Sequence, residues 1–239
     1  DMHMHGPIFF DAILKLIKEG KLTEERINKA CAKILEAKFR LGLFETRYVT
    51  EAGIKKTVFT KKHQQTALEI ARRSIVLLKN ESLLPVDTQK FKKILVTGPN
   101  ANNQSIMGDW VFEQPEKNVS TILKGIKEEA SGTQINYVDV GWNMRALDSA
   151  KIEKAIQTAK SSDLAIVIVG EDSFRQHWKE KTCGENRDRM DITLWGKQDY
   201  LVESIYKTGV PTIVILVNGR PLATGLSLIH ISEPTRPEP

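Results

Sequence analysis

The sequence predicts an α/β fold, a mostly parallel sheet flanked by helices in an α/β sandwich. Three observations carry this. The run "LAIVIVG" is apolar on both faces, as a strand buried in a parallel sheet is, and "TIVILV" reads as another strong strand. Strand patterns alternate with helix patterns across the second half of the chain, which is the βαβ signature. The composition, 41% apolar and 27% charged over 239 residues, is that of a globular chain able to bury a core.

The elements follow in order. Residues 8–19, "IFFDAILKLIKE", carry apolar residues at helical spacing and stop at Gly20. Residues 23–41 read as a second helix. Thr23 can cap its start, Ile27, Ala30, Cys31, Ile34, Leu35 and Phe39 form a stripe, and Gly42 supplies the stop. Cys31, on that stripe, is expected to be a core thiol. Residues 45–60 lose periodicity and read as a connector. "KKHQQTALEIARRSIVLLKN" resumes a helix to about Val76, and "ESLLPVDTQKF" is a turn. Then come a strand in "KKILVTGPNAN", a helix in "VSTILKGIKEEA", a strand in "INYVDVG" and a helix in "DSAKIEKAIQTAKSSD". The strand "LAIVIVGED", the helix "GKQDYLVESIYKTG" and the strand "PTIVILVNGRP" complete the series. In such sheets ligands bind beyond the carboxyl ends of the strands. The loops "GPNANN", "GEDSFRQHWKEKTCGENRDR" and "NGRP" are therefore expected to share the functional edge. The tail "LSLIHISEPTRPEP" continues none of these patterns. Its "LSLIHISEPTR" resembles a translated sequencing adapter, so residues 226–239 are expected to be non-native.

Charge narrows the function classes. The net charge is +5, and the basic residues lie in short runs such as "KLIKEGK" and "QKFKK" broken by apolar residues. A nucleic-acid surface needs a concentrated basic patch with aromatics between, so no nucleic-acid partner is expected. No stretch of 18 apolar residues occurs, so no membrane-inserted helix is expected. The two cysteines, Cys31 and Cys183, have no zinc-ligand spacing, and "HMH" at 3–5 lacks a third ligand, so no metal is expected. "GPNANN" lacks the glycine fingerprints of nucleotide loops, so it reads as a structural turn and no cofactor is expected.

The long loop is the candidate for chemistry. It follows a buried strand, which anchors its base, and loops of this length in compact domains are usually functional or disordered. It holds Glu171, Glu180 and Glu185, any of which can act as a proton donor to a leaving group. The bland reading is a polar loop whose acids pair with Arg187 and Arg189. Trp110 in "MGDW" and Trp178 in the loop are the better of the four tryptophans for stacking on a sugar face, with core packing as the ordinary alternative.

"GKLTEERINKACAKILEAKFRLGLFE", "HQQTALEIARRSIVLLKNESLLPV", "KKILVTGPNANNQSIMGDW", "VSTILKGIK", "CGENRDRMDITLWGKQDYLVESI" and "PTIVILVNGRPLA" occur in this order. Together they resemble glycoside hydrolase family 3, especially its periplasmic β-glucosidase-like members. The resemblance implies a TIM-like barrel joined to an α/β sandwich domain, with the active site between them. Residues 1–44 then correspond to the last barrel helices, 45–59 to the interdomain linker and 60–225 to most of the sandwich. It implies retaining hydrolysis of a terminal β-linked glucose or xylose from oligosaccharides or glycosides. A barrel Asp is the nucleophile and a Glu, four residues before an Arg, the general acid/base. Glu185 and Arg189 match that pair, which makes Arg189 a candidate substrate contact beside Trp110 and Trp178. The nucleophile motif does not occur here, and "GDW" at 108–110 lies in the sandwich portion. The chain is thus expected to be an internal piece, inactive alone, of a periplasmic or secreted parent. The resemblance leaves sugar, linkage and oligomeric state open. Two other readings compete: a non-catalytic carbohydrate- or partner-binding module, and a nucleotide-binding domain, which "GPNANN" does not support.

Overall fold

The computed structural model describes residues 1–224. The expected non-native tail, 226–239, lies outside the described residues. The chain divides into two units, Asp1–Lys79 and Asn80 onward.

The first unit holds four helices, α1 (Phe9–Lys18), α2 (Glu24–Arg40), α3 (Glu51–Thr57) and α4 (Lys61–Ser74). Three begin with the same device. The extended Thr23, Thr50 and Thr60 each accept, on Oγ1, a backbone N–H three residues on, from Arg26 (3.2 Å), Gly53 (3.0 Å) and His63 (3.3 Å). Each satisfies a first-turn donor that no helical carbonyl can reach. Thr50 corrects the reading of 45–60 as a bare connector. Seven residues are too few to display a stripe, so the cap, not the periodicity, marks α3. None of the four helices contains a fully buried residue. On α2, Ile27, Ala30 and Ile34 are half-buried, whereas Cys31 is exposed. That corrects the expectation of a core thiol: Cys31 sits on the flank of the stripe, and the covered line runs through its neighbours.

The second unit is built on a parallel sheet. Its elements are β1 (Lys93–Thr97), α5 (Ile122–Glu129), β2 (Gln134–Val138), α6 (Ser149–Ala159), β3 (Leu164–Gly170), α7 (Gln198–Tyr206) and β4 (Thr212–Val217). The strand order is β2-β1-β3-β4, and every pair is parallel. Every residue of β3 is buried. Alternation sends Ala165, Val167 and Val169 to one face, with α6 and α7, and Leu164, Ile166 and Ile168 to the other, with α5. Each fully buried Val, Leu or Ile among them contributes about 1.5–3 kcal/mol, which is why β3 is apolar throughout.

This order positions the site. From β1 the chain runs outward to β2, then returns across to β3 on the other side. The loops after β1 and β3 therefore diverge from neighbouring strands, the topological switch point where open α/β sheets form their ligand crevice. Gly170 ends β3 at φ +145°, and a Cβ there would run into the Val217 carbonyl. Only glycine lets the chain leave the strand this close to β4.

Candidate active site

The three loops expected at the functional edge are stitched together. In the loop after β1, the buried Asn100 donates from Nδ2 to the Glu171 carbonyl (3.0 Å) and to Ser105 Oγ (3.2 Å). "GPNANN" is thus a stapled turn. In the loop after β4, Arg220 donates to the Arg187 carbonyl (2.8 Å) and places Nε 3.5 Å from Glu171 Oε1. Glu171 is the knot: its side chain is 1% exposed and also takes Arg189 Nη1 at 3.0 Å. Beside it, burial and the nearby Glu171 charge push the Cys183 thiol up to about 12.

The long loop is closed at its neck. The Asp172 N–H donates to Thr182 Oγ1 (2.9 Å), and the Thr182 and Cys183 N–H groups donate to the Asp172 carbonyl (2.7 and 3.2 Å). Inside the loop Asp172 Oδ2 meets His177 Nδ1 at 2.6 Å, and the His177 ring stacks on Trp142 with centroids 3.8 Å apart. A loop of this length is held, so the side chains at its tip have defined places.

Glu185 lies two residues past that neck, with its side chain 40% exposed. Its carboxylate Oε2 accepts from Arg175 Nη1 at 3.0 Å. Arg175 in turn lies over the Trp110 ring, 3.9 Å from its centroid, and 5.3 Å from that of Trp178. The structure thus brings Glu185, Trp110 and Trp178 around one guanidinium, and Trp110 remains mostly exposed. The other glutamates are placed differently. Glu171 is buried, and Glu180, whose N–H bonds the His177 carbonyl, lies in the turn before the neck. Where the sequence suggests substrate contact for Arg189, the structure places it 6% exposed, with Nη1 on Glu171 and Nη2 on the Thr193 carbonyl (2.6 Å).

Two residues of this site escape sequence reasoning. Asp109, beside Trp110, accepts on Oδ2 both the Glu185 N–H (2.6 Å) and Lys181 Nζ (3.0 Å). Lys181 is fully buried, its ammonium 4.3 Å from the centre of the Trp178 ring. Burial opposes ionisation of Asp109, but the Glu185 N–H, Lys181 and Arg175 together outweigh it and hold the carboxyl below its usual range. A lysine in a polar loop reads as solvated, so nothing local marks Lys181. "GDW", an acid between glycine and an aromatic in a loop after a strand, is the one signal for Asp109. Among the described residues no group of three or more His, Cys, Asp or Glu side chains is placed to hold a metal ion, and no helix is long and apolar enough to cross a membrane.

Comparison with known proteins covers the same region. The family model described as the glycosyl hydrolase family 3 C-terminal domain matches residues 75–229. A β-xylosidase of Formosa agariphila is 36% identical over 234 residues, covering 92% of this chain and 30% of that protein. A periplasmic β-glucosidase of Salmonella typhimurium is 30% identical over 250 residues, covering 93% and 32%. Among solved structures, a β-glucosidase involved in saponin metabolism from intestinal bacteria superposes with a TM-score of 0.80 at 28% identity, over 93% of this chain and 34% of that one. The β-glucosidase of Listeria innocua gives 0.75 at 27%, over 90% and 28%. The chain spans about a third of the length of these relatives.

Proposed function

This chain belongs to glycoside hydrolase family 3, and from that premise we propose that it forms part of a retaining β-glycosidase with Glu185 as general acid/base. The substrates are terminal β-linked glucose or xylose in oligosaccharides or glycosides. Residues 1–44 are the end of a barrel domain, 45–59 the linker and 60–225 most of the sandwich.

The observation that supports the reading most is the placement of Glu185. It is a half-exposed carboxylate just past the braced neck of the long loop, at the switch point of the sheet, and its Arg175 partner lies over an exposed tryptophan. In the first step Glu185 gives its proton to the glycosidic oxygen while a carboxylate from outside this chain attacks the anomeric carbon. The C–O bond breaks and the alcohol leaves. In the second step Glu185 takes a proton from water, which attacks the same carbon and releases the nucleophile with net retention. Retention sets the two carboxyls about 5 Å apart, so the partner carboxylate has to approach Glu185. Trp110 and Trp178 offer apolar ring faces to the sugar. Arg189, with its terminal nitrogens on Glu171 and the Thr193 carbonyl, contributes by bracing the loop base rather than by reaching the sugar.

One observation favours the rival reading of a binding module: Arg175 occupies Glu185 Oε2, where a substrate oxygen would sit. Glu185→Gln in a full-length enzyme containing this chain separates the two. The enzyme reading expects kcat/KM for phenyl β-glucoside or β-xyloside to fall about 10²- to 10⁴-fold with sugar binding retained. An unchanged rate would assign Glu185 to binding alone. The 239-residue chain by itself should not turn over aryl β-glycosides, and measurable turnover would contradict the division of the two carboxyls.

A further inference from the structure

We infer that Asp109 is a positioning residue for Glu185, a role that rests on the acid/base reading of Glu185. Asp109 lies 76 residues earlier in the chain, in the loop after β1, on the other side of the switch point. Its Oδ2 accepts the Glu185 main-chain N–H at 2.6 Å, a short charge-assisted contact that fixes the backbone from which the catalytic carboxyl extends. Its Oδ1 lies 3.6 Å from Arg175 Nη1, the same nitrogen that holds Glu185 Oε2. Asp109 thus sets the Glu185 backbone directly and its carboxylate through Arg175.

The surroundings are shaped for this approach. Gly184 has φ +92°, and a Cβ there would sit 2.6 Å from Asp109 Oδ2. The position before Glu185 is kept bare so that the carboxylate can reach the next N–H. Lys181, fully buried, gives Asp109 its counter-charge. Burying such a pair adds little net stability, and the loop neck is already closed by Asp172 and Thr182 without it. The pair is therefore poorly explained by folding and well explained by placement: a misplacement of about 1 Å at a reacting group can cost a hundredfold in rate.

The test uses a full-length enzyme containing this chain and the paired variant Asp109→Leu/Lys181→Met, which removes both charges and strands neither. Kinetics are read as kcat/KM on two β-glycosides, one with a phenol leaving group that needs a proton and one with dinitrophenol that does not. The expected result is a fall of about 10- to 100-fold for phenol and less than about threefold for dinitrophenol. In a Glu185→Gln background the paired variant should leave the phenol-to-dinitrophenol ratio where Glu185→Gln alone puts it. Gly184→Ala should show the same selective loss. Equal losses on both substrates, or none on either, would overturn the inference. If Glu185→Gln itself shows no leaving-group dependence, the acid/base reading fails first. If Glu185→Gln shows it and the paired variant does not, only the role of Asp109 fails. Amide hydrogen exchange on the 239-residue chain adds a readout independent of turnover: the Glu185 amide should be protected, and lose that protection in the paired variant. An unchanged amide would also overturn the inference.

Discussion

Glu171 and Glu185 stand in one loop, and their surroundings are opposite. Glu171 follows directly on β3, is 1% exposed and is met by Arg189 and Arg220. Glu185 stands just past the loop neck, 40% exposed, facing one guanidinium that lies over Trp110 and near Trp178. The first carboxylate is consumed in joining three loops. The second is held by its backbone and left within reach of a ligand. The difference shows how a single loop can carry both a structural acid and a candidate catalytic one. Two arginines beside a buried strand make the former, and a position just outside the closed neck, held through the backbone N–H, allows the latter.

The contrast can be broken first at Glu171. Glu171→Gln should destabilise the fold by about 3–5 kcal/mol in chemical denaturation, because Arg189 and Arg220 lose their buried counter-charge. Glu185→Gln should change stability by no more than about 0.5 kcal/mol. Equal effects would erase the distinction between the two acids.

The thiols sharpen it. Cys183, raised to about 12 by burial and by Glu171, holds on the order of a thousandfold less thiolate at pH 8 than a free cysteine. One thiol, the exposed Cys31, should react rapidly with an aromatic disulfide in the native state, and two after unfolding. Because burial holds the folded Cys183 thiol above its ordinary value of 9.0, the stabilisation from Cys183 is fully present below pH 9. It is lost as the pH rises from there toward 12. Glu171→Gln should move the Cys183 thiol back toward the ordinary range. No change in its titration would remove Glu171 as a cause.

A small effect is also expected at Arg175. Its pair with Glu185 is part-exposed on both sides, so Arg175→Ala should cost at most about 1 kcal/mol of stability. A loss of several kcal/mol would mean that Glu185 is held like the Glu171 knot.

Much of this architecture was legible in the residues. The apolar run at β3 specified a buried parallel strand, whereas β4, last in the strand order, is parallel but only half-buried, and the Thr23 cap located the start of α2. The "CGENRDR" stretch pointed to a loop that the sheet order does bring to the switch point. What escaped was tertiary. Cys31 looked like core because periodicity defines a face and not its covered line. Helix α3 was too short to show a period. Lys181 read as solvated because its partner, Asp109, is 72 residues away. Arg189 suggested a substrate contact because spacing says nothing of which acid an arginine meets.

The most direct test of the central claim is chemical rescue in a full-length enzyme containing this chain. Glu185→Ala removes the base that activates water, and azide, an anion needing no base, can then attack the glycosyl-enzyme through the vacated space. With dinitrophenyl β-glucoside or β-xyloside and added azide, Glu185→Ala should regain turnover and release the β-glycosyl azide, while Glu171→Gln should release only the free sugar. Absence of glycosyl azide from Glu185→Ala, or its appearance from Glu171→Gln instead, would contradict the assignment of Glu185 as the acid/base.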